Sequence, residues 1–198
     1  MRTVDPAKHA RKKRHITDTA AGLFAEKGFE RTTVADICRR AGISTGSLFH
    51  YFPTKRAIFE EIFEQDGQDN AEVFAQARAL TPWEGVQLVV EHLAAPAMDR
   101  VVAGLVLEVV AQASRDPELS ALISRNEVVV RDELAALLQR AHDEGQVVLP
   151  VSARTAASWA QGLVDVLYTR LVDPDFDPAE QVTTLRLILS RFLGAAAP

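Results

Sequence analysis

Apolar positions recur every three to four residues along almost the whole chain and never alternate with polar ones between hairpin turns. The pattern therefore predicts helices throughout and no strands. The first stripe, Ile16, Ala20, Leu23 and Phe24, belongs to a helix that starts near Arg11 and ends at Gly28; residues 1 to about 10 lack periodicity and fray. Val34, Ile37, Cys38 and Ala41 form a short second stripe. Thr33 stands before it as N-cap, Asp36 completes a capping box, and Gly42 suits the left-handed stop. Ser44 caps a third helix at once, Ile43 and Leu48 staple its entry, Leu48 and Phe52 give it a core face, and Pro53 ends it. A fourth helix, capped by Thr54, carries Ile58, Ile62 and Phe63 on one face and continues to about Ala79. Its middle, Asp66 to Asn70, contains Gly67, which costs ~1 kcal/mol relative to alanine, so this stretch is either a soft point or a break between two helices.

Proline and glycine mark the later joints. Thr81-Pro82-Trp83-Glu84 opens a helix to about Ala95, a very apolar one spans about Asp99 to Ser114, and Asp116-Pro117-Glu118 opens a long one closed by Gly145. Ser152 to Val172 reads as the next helix, and Asp177-Pro178-Ala179-Glu180 opens the last, ending near Gly194. These two final helices are apolar on more than one side. Ala156, Trp159, Ala160, Leu163, Val164, Leu167 and Leu171 exceed one stripe, as do Val182, Leu185, Leu187, Ile188, Leu189, Phe192 and Leu193. Two faces must be covered, by the rest of the chain alone or by the chain and a second copy.

The net charge of -5 conceals a division. Residues 1 to 56 hold twelve Lys and Arg against five acids, giving +7, and the remainder holds ten against twenty-two, giving -12. All five lysines lie in the first part. A basic end on an acidic body attracts phosphate at one surface and repels it elsewhere, which sets orientation as well as affinity. The lone cysteine, Cys38, cannot pair within the chain and fits a reducing cytoplasm as a small core residue. The start is basic and amphipathic rather than a secretory leader, and the most apolar run, Val101 to Val110, is broken by Glu108 and too short to span a bilayer.

No enzymatic signature emerges. His9, His15, His50, His92 and His142 form neither an HExxH pair nor a Cys/His metal cluster, and no glycine loop cradles phosphate, so neither cofactor nor metal is expected. The third helix tells more. Beside its core face it carries Thr45, Gly46, Ser47, His50 and Tyr51, small or hydrogen-bonding residues that suit a helix end pressed into a major groove. The run AGISTGSLFHYFPTK, preceded by TTVADI and ITDTAAGLFAEKGF, resembles the DNA-binding head of the TetR family of bacterial transcriptional repressors. About the first 60 residues carry this likeness closely; beyond them only the helical layout and SRDPELSAL are similar.

The resemblance implies an all-α protein: a helix-turn-helix head over residues 1–56 and a helical bundle over 57–198 that binds an effector and dimerises. It implies a homodimer through the last two helices, with Ala156, Ala157, Ala160 and Gly162 allowing close approach. Such a dimer would repress transcription from a pseudo-palindromic operator in duplex DNA and release it when a small molecule binds. Thr45, Gly46 and Ser47 match first-turn residues that approach bases; Tyr51 and Lys55 match phosphate or groove contacts, and Thr33 a cap near the backbone. His50, read from its place on the helix, lies either at the DNA backbone or in the core. At Phe49 the family usually has a tyrosine whose hydroxyl reaches a phosphate, and phenylalanine can offer only apolar contact to a thymine methyl or sugar. That departure supports an alternative: a helical ligand- or partner-binding module whose head no longer recognises an operator. For the effector, Glu108 is either a buried ligand contact or a structural carboxylate, and Trp83, His92, Trp159 and Tyr168 either line a cavity or fill core.

Overall fold

The computed structural model describes residues 5–170, 173 and 175–195, with the side chains of 100 and 101 excepted. Leu171, Val172 and Pro174, which the sequence places in and after the penultimate helix, lie outside these, as does the Val101 side chain. The described residues form nine α-helices and one short 3-10 turn, with no strand. They are α1 (Pro6–Lys27), α2 (Val34–Ala41), α3 (Thr45–Tyr51), α4 (Lys55–Ala79), α5 (Pro82–Ala94), α6 (Arg100–Ala113), α7 (Pro117–Asp143), α8 (Ala153–Arg170) and α9 (Pro178–Phe192). The 3-10 turn, Ala95–Met98, sits around Pro96 and was not evident in the pattern.

Caps fix most of the boundaries. Thr33 accepts from the Asp36 N–H at 3.1 Å while Asp36 accepts from the Thr33 N–H at 3.1 Å, closing the expected capping box. Gly42 follows in the left-handed region at φ 65°. Ser44 and Thr54 cap α3 and α4 through the N–H groups of Ser47 and Ala57. The expectation that residues 1 to about 10 fray lies outside the described residues for 1–4 and is corrected for 5–10: α1 begins at Pro6, because Asp5 accepts from the N–H groups of Ala7 and Lys8 and proline suits the first helical position. The soft middle of α4 is not a break either. The helix is continuous through Gly67, and the Asn126 side chain of α7 lies against it while donating to the Phe63 carbonyl.

Two apolar clusters organise the molecule. The first joins Ile16, Ala20, Leu23 and Phe24 of α1, Ile37 and Cys38 of α2, Leu48 of α3, the adjoining Phe52, and Ile58 and Phe59 of α4. Val109 of α6 and Leu119 of α7 complete it, so the head's core crosses residue 56 and includes body residues. The second cluster packs α4, α5, α7, α8 and α9 around Leu134, Leu137 and Leu138. Gly85 marks its tightest approach: a Cβ there would lie 2.6 Å from the Ala77 carbonyl oxygen, so no larger residue fits without moving α5 from α4.

One expectation about α8 is overturned. Ala156, Ala157 and Ala160 are fully buried inside the chain and do not form an outer surface, because the helix turns its small residues toward the body. The outer face instead shows Trp159, 61% exposed, and Val166, while α9 exposes Leu187 and Ile188.

Candidate nucleic-acid interface and effector chamber

The head presents α3 on its surface. Leu48 and Phe52 are buried beneath it, which turns Thr45, Gly46, Phe49 and His50 outward, with Ser47 and Tyr51 half-buried. No side chain or backbone outside the helix lies within 4 Å of a Cβ built on Gly46, so the approach to the first turn is open. Phe49 is 48% exposed, a large apolar side chain on a polar surface. Tyr51 packs against His9 of α1 at 4.7 Å between ring centroids, and His50 stands edge-on to Tyr51 at 5.2 Å. His15 donates from Nε2 to the Ala41 carbonyl at 3.1 Å, tying α1 to the turn between α2 and α3.

The cations divide into occupied and free. Arg40 grips Glu26 with two bonds of 2.6 and 2.7 Å, Arg39 and Lys27 both reach Asp36, and Lys13 pairs with Glu61 at 2.5 Å. Among the described residues, Lys8, Arg11 and Lys12 have no such partner. Lys55 is occupied in a way the sequence did not suggest. Its ammonium donates to the carbonyls of Phe29 at 2.6 Å, Thr32 at 2.9 Å and Glu30 at 3.4 Å, and lies 4.2 Å from the Phe29 ring centroid. Three donors meet three carbonyls, which leaves little capacity for a phosphate and makes Lys55 the clamp of the loop ahead of α2.

Glu108 acts on the same loop. From α6 it accepts from the Phe29 N–H at 2.8 Å and from Gln112 at 3.2 Å. Of its two readings, the structural carboxylate is the one the geometry matches, since both contacts lie at the junction of head and body. Arg56, at the start of α4, binds Asp116 and Glu118 at the start of α7 and adds a second tie across that junction.

The remaining effector candidates separate. Trp83 is half-buried and its backbone N–H donates to Gln146 at the far end of α5. Trp159 lines an open groove of about 650 Å³ on the outside of α8, with Arg131, Arg154 and Thr155. Only His92 and Tyr168 share an environment. His92 donates to the Asn70 side-chain oxygen at 2.8 Å, and the Tyr168 hydroxyl donates to the Leu93 carbonyl.

Around these two the structure gathers residues that sequence reasoning missed. Asp66 lies one turn before Asn70, whose amide approaches it at 3.5 Å; Glu127 of α7 accepts from Gln161 of α8; Asp165 is one turn before Tyr168's neighbours on the same helix. Burial raises the carboxyl pKa of Asp66, Glu127 and Asp165, and the charges of Asp165 and Asp66 push Glu127 further. Burial, then Asp165 and Asp66, likewise raises the Tyr168 phenol. Each of the three acids nevertheless keeps more than a third of its surface open to water. These partly desolvated carboxylates lie on α4, α7 and α8, with His92 of α5 close enough to Asp66 to oppose the rise of its pKa. Among the described residues no three ligating groups come close enough to hold one metal ion.

With this geometry in view, comparison with known proteins is specific. Residues 16–62 match the family described as bacterial regulatory proteins, tetR family, and residues 84–194 match the C-terminal region of BetI-type transcriptional repressors. The transcriptional regulator UidR of Escherichia coli is 27% identical over 162 residues, which cover 80% of this chain and 79% of UidR. Two solved structures share the fold. The regulator FadR from Bacillus subtilis, in complex with stearoyl-CoA, is 23% identical with a TM-score of 0.74, covering 91% of this chain and 98% of FadR. A regulator from Saccharomonospora viridis, in complex with choline, is 18% identical with a TM-score of 0.79, covering 93% and 98%. The second family match alone spans more than half of the chain, and together with the capped helix-turn-helix it shows that this protein belongs to the TetR family of bacterial transcriptional repressors.

Proposed function

We propose that two copies of this chain bind a pseudo-palindromic operator in duplex DNA, each laying α3 into a major groove, and that an organic cation seated between α4, α5, α7 and α8 releases them. The observation that carries the ligand class is the set Asp66, Glu127 and Asp165, three carboxylates on α4, α7 and α8 near enough that Asp165 and Asp66 both raise the Glu127 carboxyl, with no described Lys or Arg in ion-pair contact and Arg131 opposing the rise at Glu127. Grouped carboxylates with raised pKa values are held at a cost that a bound cation relieves. The two ligand-bound relatives carry an acyl thioester and a quaternary ammonium, so the shared fold leaves the choice to each chain's own lining. Here the three side chains are acidic, which favours a cationic ligand.

For DNA, Thr45, Gly46 and Ser47 approach base edges, His50 and Tyr51 meet the backbone, Phe49 makes apolar contact, and the α2 terminus capped by Thr33 faces a phosphate. Lys55 serves as the clamp that positions this unit. One short recognition helix reads few bases, and two heads ~34 Å apart read two half-sites. The exposed apolar strip Trp159, Val166, Leu187 and Ile188 on α8 and α9 supports dimerisation through the last two helices.

The test is a selection of genomic fragments with the purified protein, followed by binding titrations at two salt concentrations. A preferred fragment whose affinity falls steeply with salt while its preference persists is the expected result. Binding without preference would leave only the module that no longer recognises an operator.

A further inference from the structure

The first two turns of α1 contain Lys8, His9, Arg11 and Lys12, of which Lys8 and His9 lie in the segment the sequence pattern left without structure. Asp5 and Pro6 make it helical, and that places the His9 ring against Tyr51 at 4.7 Å and 6.3 Å from His50 on the recognition helix. Two imidazoles and one phenol ring thus form a triangle at the edge of the surface that α3 presents.

The surrounding charges favour adding protons there when phosphate arrives. On α1, Asp5 is used as the helix cap, and Lys8, Arg11 and Lys12 are unpaired cations among the described residues. Lys13 lies over the Phe52 ring and binds Glu61, the acid that α4 contributes on this side. The recognition helix itself, Thr45 to Tyr51, carries no acid. No described carboxylate pairs with either imidazole, and a DNA phosphate would supply the missing negative charge.

We infer that His9 and His50, both packed against Tyr51, form a proton-dependent phosphate seat, so that α1 contributes to DNA binding and affinity rises as pH falls through the histidine range. The inference rests on the head binding duplex DNA, as proposed above, and concerns how strongly it does so. For each proton taken up on binding, affinity gains up to about tenfold per pH unit as pH falls. The dependence of log affinity on log salt steepens by roughly 0.9 for each proton taken up.

The experiment measures binding of the full-length protein to two probes, its selected genomic fragment and a random-sequence duplex of equal length, at both pH values over a salt series. His9→Gln, His50→Gln and the double variant are measured alongside, with thermal melting to confirm that each is folded. The expected result is tighter binding and a steeper salt slope at the lower pH on both probes, roughly halved in each single variant and abolished in the double variant. An equal pH response in the folded double variant, or none in the wild type, overturns the inference. Loss of preference between the probes would count against operator recognition and leave the pH response to be judged separately on the random duplex.

Discussion

The head and the interior of the body place their polar groups by different means. In the head, polar side chains act over one turn: Thr33 and Asp36 cap α2 between them, Ser44 caps α3, and Gly42 makes the left-handed stop. In the body, Asp66, Glu127 and Asp165 belong to three helices and meet only because α4, α7 and α8 pack together. The head is therefore a surface assembled from local rules over an apolar core, whereas the body brings three partly desolvated carboxylates together from separate helices. That contrast matches two tasks, reading a fixed polymer outside and responding to a variable small molecule inside.

The largest expected effect tests the head's dependence on its core. Phe24→Ala removes a fully buried ring stacked near Phe29 and Phe59 and should cost about 3–5 kcal/mol in denaturant unfolding. DNA binding should fail with it; a loss below about 1 kcal/mol would mean the head does not hang on this cluster. Next in size, Lys55→Ala leaves three carbonyls without their shared donor, about 1–3 kcal/mol, and should lower the melting temperature. Were Lys55 a phosphate contact instead, the variant would melt normally and its salt slope would drop by about 0.9.

Gly85→Ala probes the body in the same range, about 1–3 kcal/mol, because its methyl group would meet the Ala77 carbonyl; ligand binding should suffer while the isolated head surface is unaltered. Thr33→Ala should cost about 1 kcal/mol, since the capping box is replaced by an unsatisfied helix end. The smallest effect has the opposite sign. Raised carboxyl pKa values mean that the folded chain binds more protons than the unfolded one just above the ordinary carboxylate range, so these groups make stability fall as pH rises through that window. Replacing Asp66, Glu127 and Asp165 by Asn, Gln and Asn should remove this component, a change on the order of 1 kcal/mol or less because the groups are partly solvated. Melting curves across pH would show it as a flatter profile on the neutral side. Ligand affinity in the wild type should weaken as pH falls through the same window, since the neutral acids no longer attract a cation.

Legibility in the sequence followed this division. The caps at Thr33, Ser44 and Thr54 and the stop at Gly42 were readable because each depends on residues within one turn. The start of α1 was missed although Asp5 and Pro6 signal it, because its first two turns face solvent and carry no apolar stripe. Glu108 stood out as a charge in an apolar run, but a pattern cannot say that its partner is the Phe29 N–H at the head. Lys55 was placed correctly at a helix start, yet the carbonyls that hold it come from a loop far back in the chain. The alanines of α8 were small enough for either face, and only packing against α7 decided that they turn inward. Asp66, Glu127 and Asp165 gave no local signal, since each alone reads as one more surface acid.

The most direct test of the whole account is release of the selected operator fragment by a panel of organic cations, measured by fluorescence anisotropy on the wild type and on the folded Asp66→Asn, Glu127→Gln, Asp165→Asn variant. At least one quaternary ammonium or polyamine should dissociate the wild-type complex and leave the variant bound. Release by neutral or anionic compounds alone, or equal release of both proteins by a cation, would contradict it.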